Sequence, residues 1–228
     1  MIPIAYAHNG FADKFGVPRQ SISDSVIETR IVFEPAFRIR EALRGIEGFS
    51  HLWLLWGFHE NHRKQWSPTV RPPRLGGNRR VGVFATRSPI RPNPIGLTAV
   101  RLLRVEDTPQ TGCILVVAGA DVKDGTPIYD IKPYIAYADA HPDAKSGFVD
   151  EVPFPTLQVE GLKQTIREQY PSADDKPHIM AWEEILRQDP RPAYQDDPNR
   201  VYHITFNGEE LTFRVEGNRL IVLSIKSI

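Results

Sequence analysis

Residues 97–118 read LTAVRLLRVEDTPQTGCILVVA. Two runs rich in apolar and β-branched residues, 97–105 and 113–118, flank a short stretch of turn-forming residues with no helical pattern. Working outward, residues 26–33, 51–58 and 80–86 have the same texture and read as further strands. One helix is expected among them, at residues 38–45, where apolar positions are spaced and Gly45 supplies a stop. So few helices between strands disfavour repeated strand–helix–strand units. A mainly β fold, an antiparallel sheet or barrel, is the expectation.

Beyond residue 155 the texture changes. Residues 157–170 and 178–188 read as amphipathic helices. Residues 201–228 then alternate in short strands, with turns at Asn207-Gly208 and Gly217-Asn218. Asn-Gly is the stronger turn signal, because both residues tolerate positive φ cheaply. The proline-rich stretch 152–155 marks the expected boundary. The chain thus divides into a β domain, residues 1–155, and a smaller α+β domain, residues 156–228.

At 228 residues, with 41% hydrophobic and 25% charged side chains, the chain can bury a real core. Its single cysteine, Cys113, rules out an intrachain disulfide and sits in an apolar run, where a buried thiol is expected. No basic segment followed by an apolar one opens the sequence, and no apolar stretch is long enough to cross a bilayer. A cytoplasmic location without membrane contact is therefore expected.

The net charge is zero, which argues against a protein that coats nucleic acid over its whole surface. The charge is nevertheless uneven. Residues 61–105 hold no Asp or Glu but carry ten basic side chains: Arg63, Lys64, Arg71, Arg74, Arg79, Arg80, Arg87, Arg91, Arg101 and Arg104. Arginine suits bidentate contact with phosphate or carboxylate. The run reads as the footprint of a polyanion, against the plainer alternative of a solvated face paired with acids elsewhere.

Several chemistries fail on spacing. In His59-Glu60-Asn61-His62 the second histidine falls one residue short of the HExxH zinc pattern, and no metal is expected. There is no Walker A sequence and no GxGxxG, so a Rossmann nucleotide site is unsupported. Ala118-Gly119-Ala120-Asp121 reads as a strand end followed by a turn.

Four segments carry residues that a hydrophobic core would not request: 14–20 (KFGVPRQ), 58–60 (FHE), 68–93 and 121–134 (DVKDGTPIYDIKPY). Their prolines and glycines fix loop backbones while arginines and amides stand out, as in a rigid binding site. Together with GVFATRSPIRPNPIGLTAVRL (82–102) and QDPRPAY (188–194), they closely resemble the tRNA threonylcarbamoyladenosine N6-methyltransferase family over nearly the whole chain. The resemblance implies a single-sheeted β-barrel that binds S-adenosylmethionine (SAM), a homodimer, and a C-terminal domain that assists tRNA binding. The implied reaction methylates N6 of threonylcarbamoyladenosine next to the anticodon. One segment departs from the family: residues 8–11, His-Asn-Gly-Phe, replace an Arg-Ser-Pro-Tyr-like stretch.

By resemblance, the cofactor is held by Pro18, Arg19 and Gln20, by His59 and Glu60, by Arg87 and Leu97, and by Asp124, Gly125, Thr126 and Pro127. Arg19 or Arg87 would hold its carboxylate, and Glu60 or Asp124 would accept from its ammonium or ribose. Asp130 and Tyr134 are candidates for removing the N6 proton. Arg91 or Lys132 would meet the threonyl carboxylate, and Arg71, Arg74 and Arg79 would face tRNA phosphates. Two other readings stand beside this one: a SAM-binding sensor or RNA-binding module without turnover, and a methyltransferase of the same fold with another substrate. A fragment ending near residue 155 is expected to keep SAM binding and lose most tRNA activity.

Overall fold

Six strands close a barrel in the order β1-β2-β7-β6-β3-β8. They are β1 (Ala5–His8), β2 (Glu28–Phe33), β3 (His51–Gly57), β6 (Ile95–Thr108), β7 (Gly112–Ala118) and β8 (Thr126–Pro133). A small ribbon, β4 (Thr69–Val70) with β5 (Val81–Gly82), lies between β3 and β6 in the chain. Every neighbouring pair in the barrel is antiparallel. The computed structural model describes residues 1–21, 24–61, 65–152, 156–171, 175–191, 195 and 197–228. The boundary prolines 153 and 155, His62, Arg63 and Lys64, and residues 192–194 of QDPRPAY lie outside the described residues.

Alternation fills the barrel. Leu52, Leu54 and Trp56 of β3 point inward, as do Ile31 and Phe33 of β2 and Leu115 and Val117 of β7. A bulge between Leu102 and Arg104 in the 14-residue β6 lets this long strand bend around the barrel. Cys113 is buried, as its apolar setting implied.

Two short helices follow, α1 (Ala136–Asp139) and α2 (Phe148–Glu151). The C-terminal part is a four-stranded sheet in the order β10-β11-β12-β9. Its strands are β9 (Gln158–Glu160), β10 (Tyr202–Phe206), β11 (Glu209–Glu216) and β12 (Arg219–Ser227). Helices α3 (Leu162–Gln169) and α4 (Asp175–Arg187) pack on it around fully buried Trp182. The hairpin at Asn207-Gly208 turns with φ of 54° and 78°, the conformation that Asn-Gly favours.

The second core reaches back into the N-terminal chain. Phe11 and Ile27, which flank the β1–β2 connection, belong to it. The Phe11 ring meets Phe206 at 5.0 Å, and Asn207 N donates to Gly10 O at 3.0 Å. Gly10 is required here, since a Cβ would sit 2.6 Å from the Phe206 ring. Gly10, Phe11, Gly16, Arg19, Val26 and Ile27 of this connection thus lie against the C-terminal part.

Three sequence expectations are corrected. Residues 38–45 form no α-helix. They fall within short 3₁₀ turns, Pro35–Phe37, Arg40–Leu43 and Ile46–Gly48, because Ile39 is extended and Gly45 left-handed. Leu43 and Ile46 supply apolar cover for the barrel core, which explains the spacing. Of residues 80–86 only Val81–Gly82 is strand, for among the described residues its one partner is the two-residue β4. The helix expected at 157–170 begins at Leu162. Before it, β9 takes a parallel place beside β12, an option that local pattern cannot reveal. Strands β1 and β8, which close the barrel, were not expected at all.

Candidate active site

Antiparallel order brings three connections to one end of the barrel. Residues 9–27 (β1 to β2), 58–94 (β3 to β6) and 119–125 (β7 to β8) all emerge there. These connections hold every cofactor residue implied by the resemblance except Leu97, Thr126 and Pro127, which begin β6 and β8. Segments far apart in the chain meet because alternate strand ends share a rim.

A cleft of about 880 Å³ runs from this rim along the outer face of β3 and β6. Its floor consists of side chains that alternate with the core: His51 and Trp53 of β3, facing Arg101 and Ala99 of β6. Tyr134 leans over the aromatic side, with its ring 5.5 Å from Trp53 and 6.1 Å from His51. Trp53 is anchored through Nε1, which donates to Asp139 Oδ2 at 3.1 Å. Leu97, an outward position 54% exposed, offers an apolar step beside Arg87. Ser21, whose Oγ donates to Ala99 O at 2.8 Å, ties the β1–β2 connection to this wall.

Arg87 Nη1 donates to Gln20 Oε1 at 2.5 Å, so the PRQ segment and the arginine loop touch at the rim. Arg19, exposed beside half-buried Pro18, turns the other way. Its Nη2 donates to Arg191 O at 2.6 Å and to Asp189 O at 3.4 Å. Of these two, Arg87 and not Arg19 lines the cleft. Arg91 also lines it and donates to Thr86 O at 3.2 Å.

A second cavity of about 410 Å³ lies between the rim and β10, lined in part by Lys14, Glu60, Lys123 and His203. Glu60 accepts from Lys123 and, at 3.1 Å, from Lys14. These two ammonium groups hold its carboxyl down at about 2. Neighbouring His59 is exposed, and its backbone N donates to Gly57 O at 2.8 Å.

The departing segment 8–11 has a visible job. Asn9 Nδ2 donates to Val122 O at 2.9 Å, and Asn9 N donates to Asp124 Oδ1 at 3.0 Å. His8 Nδ1 stands 3.4 Å from the same oxygen. Asp124 N donates to Phe11 O, and Gly125 N to Ala7 O, at 3.0 and 2.8 Å. Gly125 has φ of 76°, which needs glycine, while Thr126 and Pro127 are buried at the start of β8.

The proposed proton acceptors and phosphate contacts sort differently. Tyr134 is in the cleft. Asp130 is not: it pairs with Lys132 at 2.8 Å and accepts from Ile131 N, and neither Asp130 nor Lys132 lines the cavity. Arg79 pairs with Glu151 at 3.1 Å, and Arg74 donates twice to Val152 O. Arg71 is exposed and makes no hydrogen bond or ion pair among the described residues. Toward the end of the basic run, Arg104 grips Glu28 and Glu106, so this arginine follows the plainer ion-pair reading.

Asp121 was missed. It lines the cleft, and its Oδ1 accepts from Thr98 Oγ1 at 2.5 Å. Thr98 in turn accepts from Trp56 Nε1 at 2.9 Å. Burial holds the Asp121 carboxyl above its ordinary range, against the Thr98 hydrogen bond and the Arg87 charge. Its signal in the sequence was the Gly-Ala-Asp just past an apolar strand, which reads equally well as a turn.

The donor set fits SAM. In the cleft Arg87 can pair with a carboxylate and exposed Leu97 can lie against a flat ring, while Asp124, outside the cleft lining on the 119–125 connection and partly exposed, can accept from ammonium or ribose.

Comparison with known proteins agrees with the fold and extends it. Residues 6–140 match the tRNA-methyltransferase O N-terminal domain, and residues 156–228 match the C-terminal domain of the same family. The chain is 44% identical over 180 residues, 79% of this chain and 98% of the relative, to a tRNA (adenine(37)-N6)-methyltransferase of Eikenella corrodens. It is 43% identical over 205 residues, 89% of this chain and 86% of the relative, to a Pseudomonas aeruginosa protein whose name proposes a SAM-dependent methyltransferase. A crystal structure of TrmO from Pseudomonas aeruginosa superimposes with a TM-score of 0.75 at 32% identity, covering 99% of this chain and 97% of that one. With both domain models matched in order and a solved fold aligned from end to end, this chain belongs to the tRNA-methyltransferase O family.

Proposed function

We propose that this protein transfers the methyl group of SAM to N6 of threonylcarbamoyladenosine at the position the relatives' names give, adenine 37 of tRNA. The observation that carries the reading is the outer-wall cleft. It sets a flat aromatic lining, His51, Trp53 and Tyr134, beside Arg91 and Arg101 and opens at the rim where Arg87 and Leu97 stand. A nucleobase is recognised by stacking on such rings, and a threonyl carboxylate by a guanidinium. Arg91 lies in the cleft and suits the carboxylate better than Lys132, which is occupied by Asp130.

Bound SAM supplies a methyl group on a cationic sulfur, and displacement there needs alignment more than covalent help. The chain's part is to orient both partners, remove water and take up a proton. The urea of threonylcarbamoyladenosine acidifies N6–H, so proton removal yields a better nucleophile. We further place the protein in the cytoplasm as a homodimer, with residues 156–228 assisting tRNA binding and Pro18, Gln20, Arg87, Leu97 and residues 124–127 around the cofactor.

The test is purified protein with SAM and one tRNA prepared with and without the threonylcarbamoyl group, read by nucleoside mass spectrometry. Methylation confined to the modified tRNA supports the reading. Equal rates on the two would sink it, because a site that holds a half-buried cation for the carboxylate loses affinity when that partner is absent. SAM binding without methylation of either tRNA would point to the module without turnover.

A further inference from the structure

We propose that Asp121 is the group that takes the N6 proton during methyl transfer, held in line by Thr98 and Trp56. This rests on the function proposed above.

The geometry selects it by elimination. Among the described residues, Asp121 is the only carboxylate that lines the cleft. Asp130 is tied to Lys132 outside it. Glu60 is saturated by Lys14 and Lys123, and a carboxylate held at about 2 is a weak base. Asp124 is engaged by Asn9 N and His8 and does not line the cleft. Tyr134 is in the cleft, where its ring packs with Trp53 and His51 as part of the aromatic lining.

Asp121 is also held as a base should be. The buried Trp56 indole N–H donates to Thr98 Oγ1, which commits the threonine hydroxyl proton to Asp121 Oδ1. That fixes one carboxylate oxygen on the wall of the cleft that Leu97 and Arg87 also line, with the backbone amides of Asp121 and Ser21 as further donors to the carboxylate. Arg87 is the charge felt at Asp121. Arg91, Arg101, His51 and Tyr134 line the same cleft. Burial raises the carboxyl above its usual range and so brings its proton affinity nearer to neutral pH.

The step balances. The N6–H bond breaks and its proton passes to the Asp121 carboxylate. N6 forms its bond to the methyl carbon as the carbon–sulfur bond breaks, and that bonding pair stays on sulfur as a neutral thioether. Asp121 then returns its proton to water.

Two measurements test this. In wild-type protein, the single-turnover rate on threonylcarbamoyladenosine tRNA should rise with pH and level off. The midpoint of that rise should match the Asp121 carboxyl titration followed by carbon NMR in the same protein. Asp121→Asn should lose about 10²–10⁴-fold in rate and lose the levelling-off, while SAM affinity by calorimetry stays within about threefold. Thr98→Val, which removes the hydrogen bond favouring the ionised form, should move the midpoint to higher pH. An Asp121 titration that does not coincide with the rate profile overturns the assignment, whatever the variants do. So does an Asp121→Asn protein with the wild-type rate and profile. Wild-type protein that binds SAM but never methylates this tRNA overturns the proposed function itself, and the assignment falls with it.

Discussion

Replacing Phe11 by Ala should damage two places at once. Its side chain is 1% exposed in the C-terminal core, 5.0 Å from the Phe206 ring, which itself meets Trp182 edge-on at 5.6 Å. The substitution removes about 1.5–3 kcal/mol of apolar burial and about 0.5–1.5 kcal/mol of ring pairing. The cavity left behind brings the total to about 3–5 kcal/mol. For a chain of this size that lowers the thermal midpoint by about 6–20 °C. The second effect is on the rim where we propose that SAM binds. Phe11 O accepts from Asp124 N at 3.0 Å and Phe11 N donates to Asn9 Oδ1 at 3.0 Å, so the ring anchors the loop that carries Asp124 and Gly125. Losing one such hydrogen bond, at about 0.5–1.5 kcal/mol, weakens SAM binding by up to about tenfold. Calorimetric unfolding and SAM titration read the two effects separately. A midpoint within a degree or two of wild type would refute the packing argument. Normal SAM affinity in a clearly destabilised variant would refute the coupling between the C-terminal core and the rim.

A chain ending at residue 155 should lose SAM affinity as well as tRNA activity, contrary to the expectation from sequence, because it strips cover from Phe11 and Ile27 and releases the grip of Asp189 and Arg191 on Arg19; titration of the fragment with SAM decides. Glu60 should support stability fully above about pH 4.5, its ordinary value, and lose that contribution as pH falls toward about 2. Urea unfolding of wild type and Glu60→Gln should therefore converge in acid and separate near neutrality. Arg71→Ala should weaken tRNA binding and flatten the log–log salt slope by about 1, as for a lost phosphate contact. Arg79→Ala, whose partner is Glu151, should change that slope less; equal slopes in all proteins would take Arg71 off the tRNA surface.

Much of the barrel was legible because its inner strands obey a local rule. Residues 51–57 alternate between core and outer face, and residues 113–118 are apolar throughout because both faces are covered. The C-terminal hairpin was legible for the same reason, with Asn207-Gly208 marking its turn. The cofactor segments were legible only through family resemblance, since no spacing within them announces SAM. Tyr134 and Arg91 were named and do line the cleft, whereas Asp130 and Lys132 were named from the same polar strand and pair with each other instead.

What the chain alone determined, then, is the strongly patterned strands β2, β3, β6 and β7 and the C-terminal hairpin, which loops are rich in arginine, and which family they resemble. The tertiary structure decided the rest, because those questions turn on contacts between distant residues. Barrel closure depends on the four-residue β1 finding β8, some 120 positions later, and neither carries a pattern strong enough to stand alone. The β1–β2 connection looks like part of the N-terminal domain, yet Phe11 and Ile27 find their burial in the C-terminal core. Asp121 reads as an ordinary turn residue until folding seats it on Thr98 at the wall of a cleft. There, withdrawal from water and one directed hydrogen bond give its carboxylate a chemistry that its neighbours in sequence do not specify.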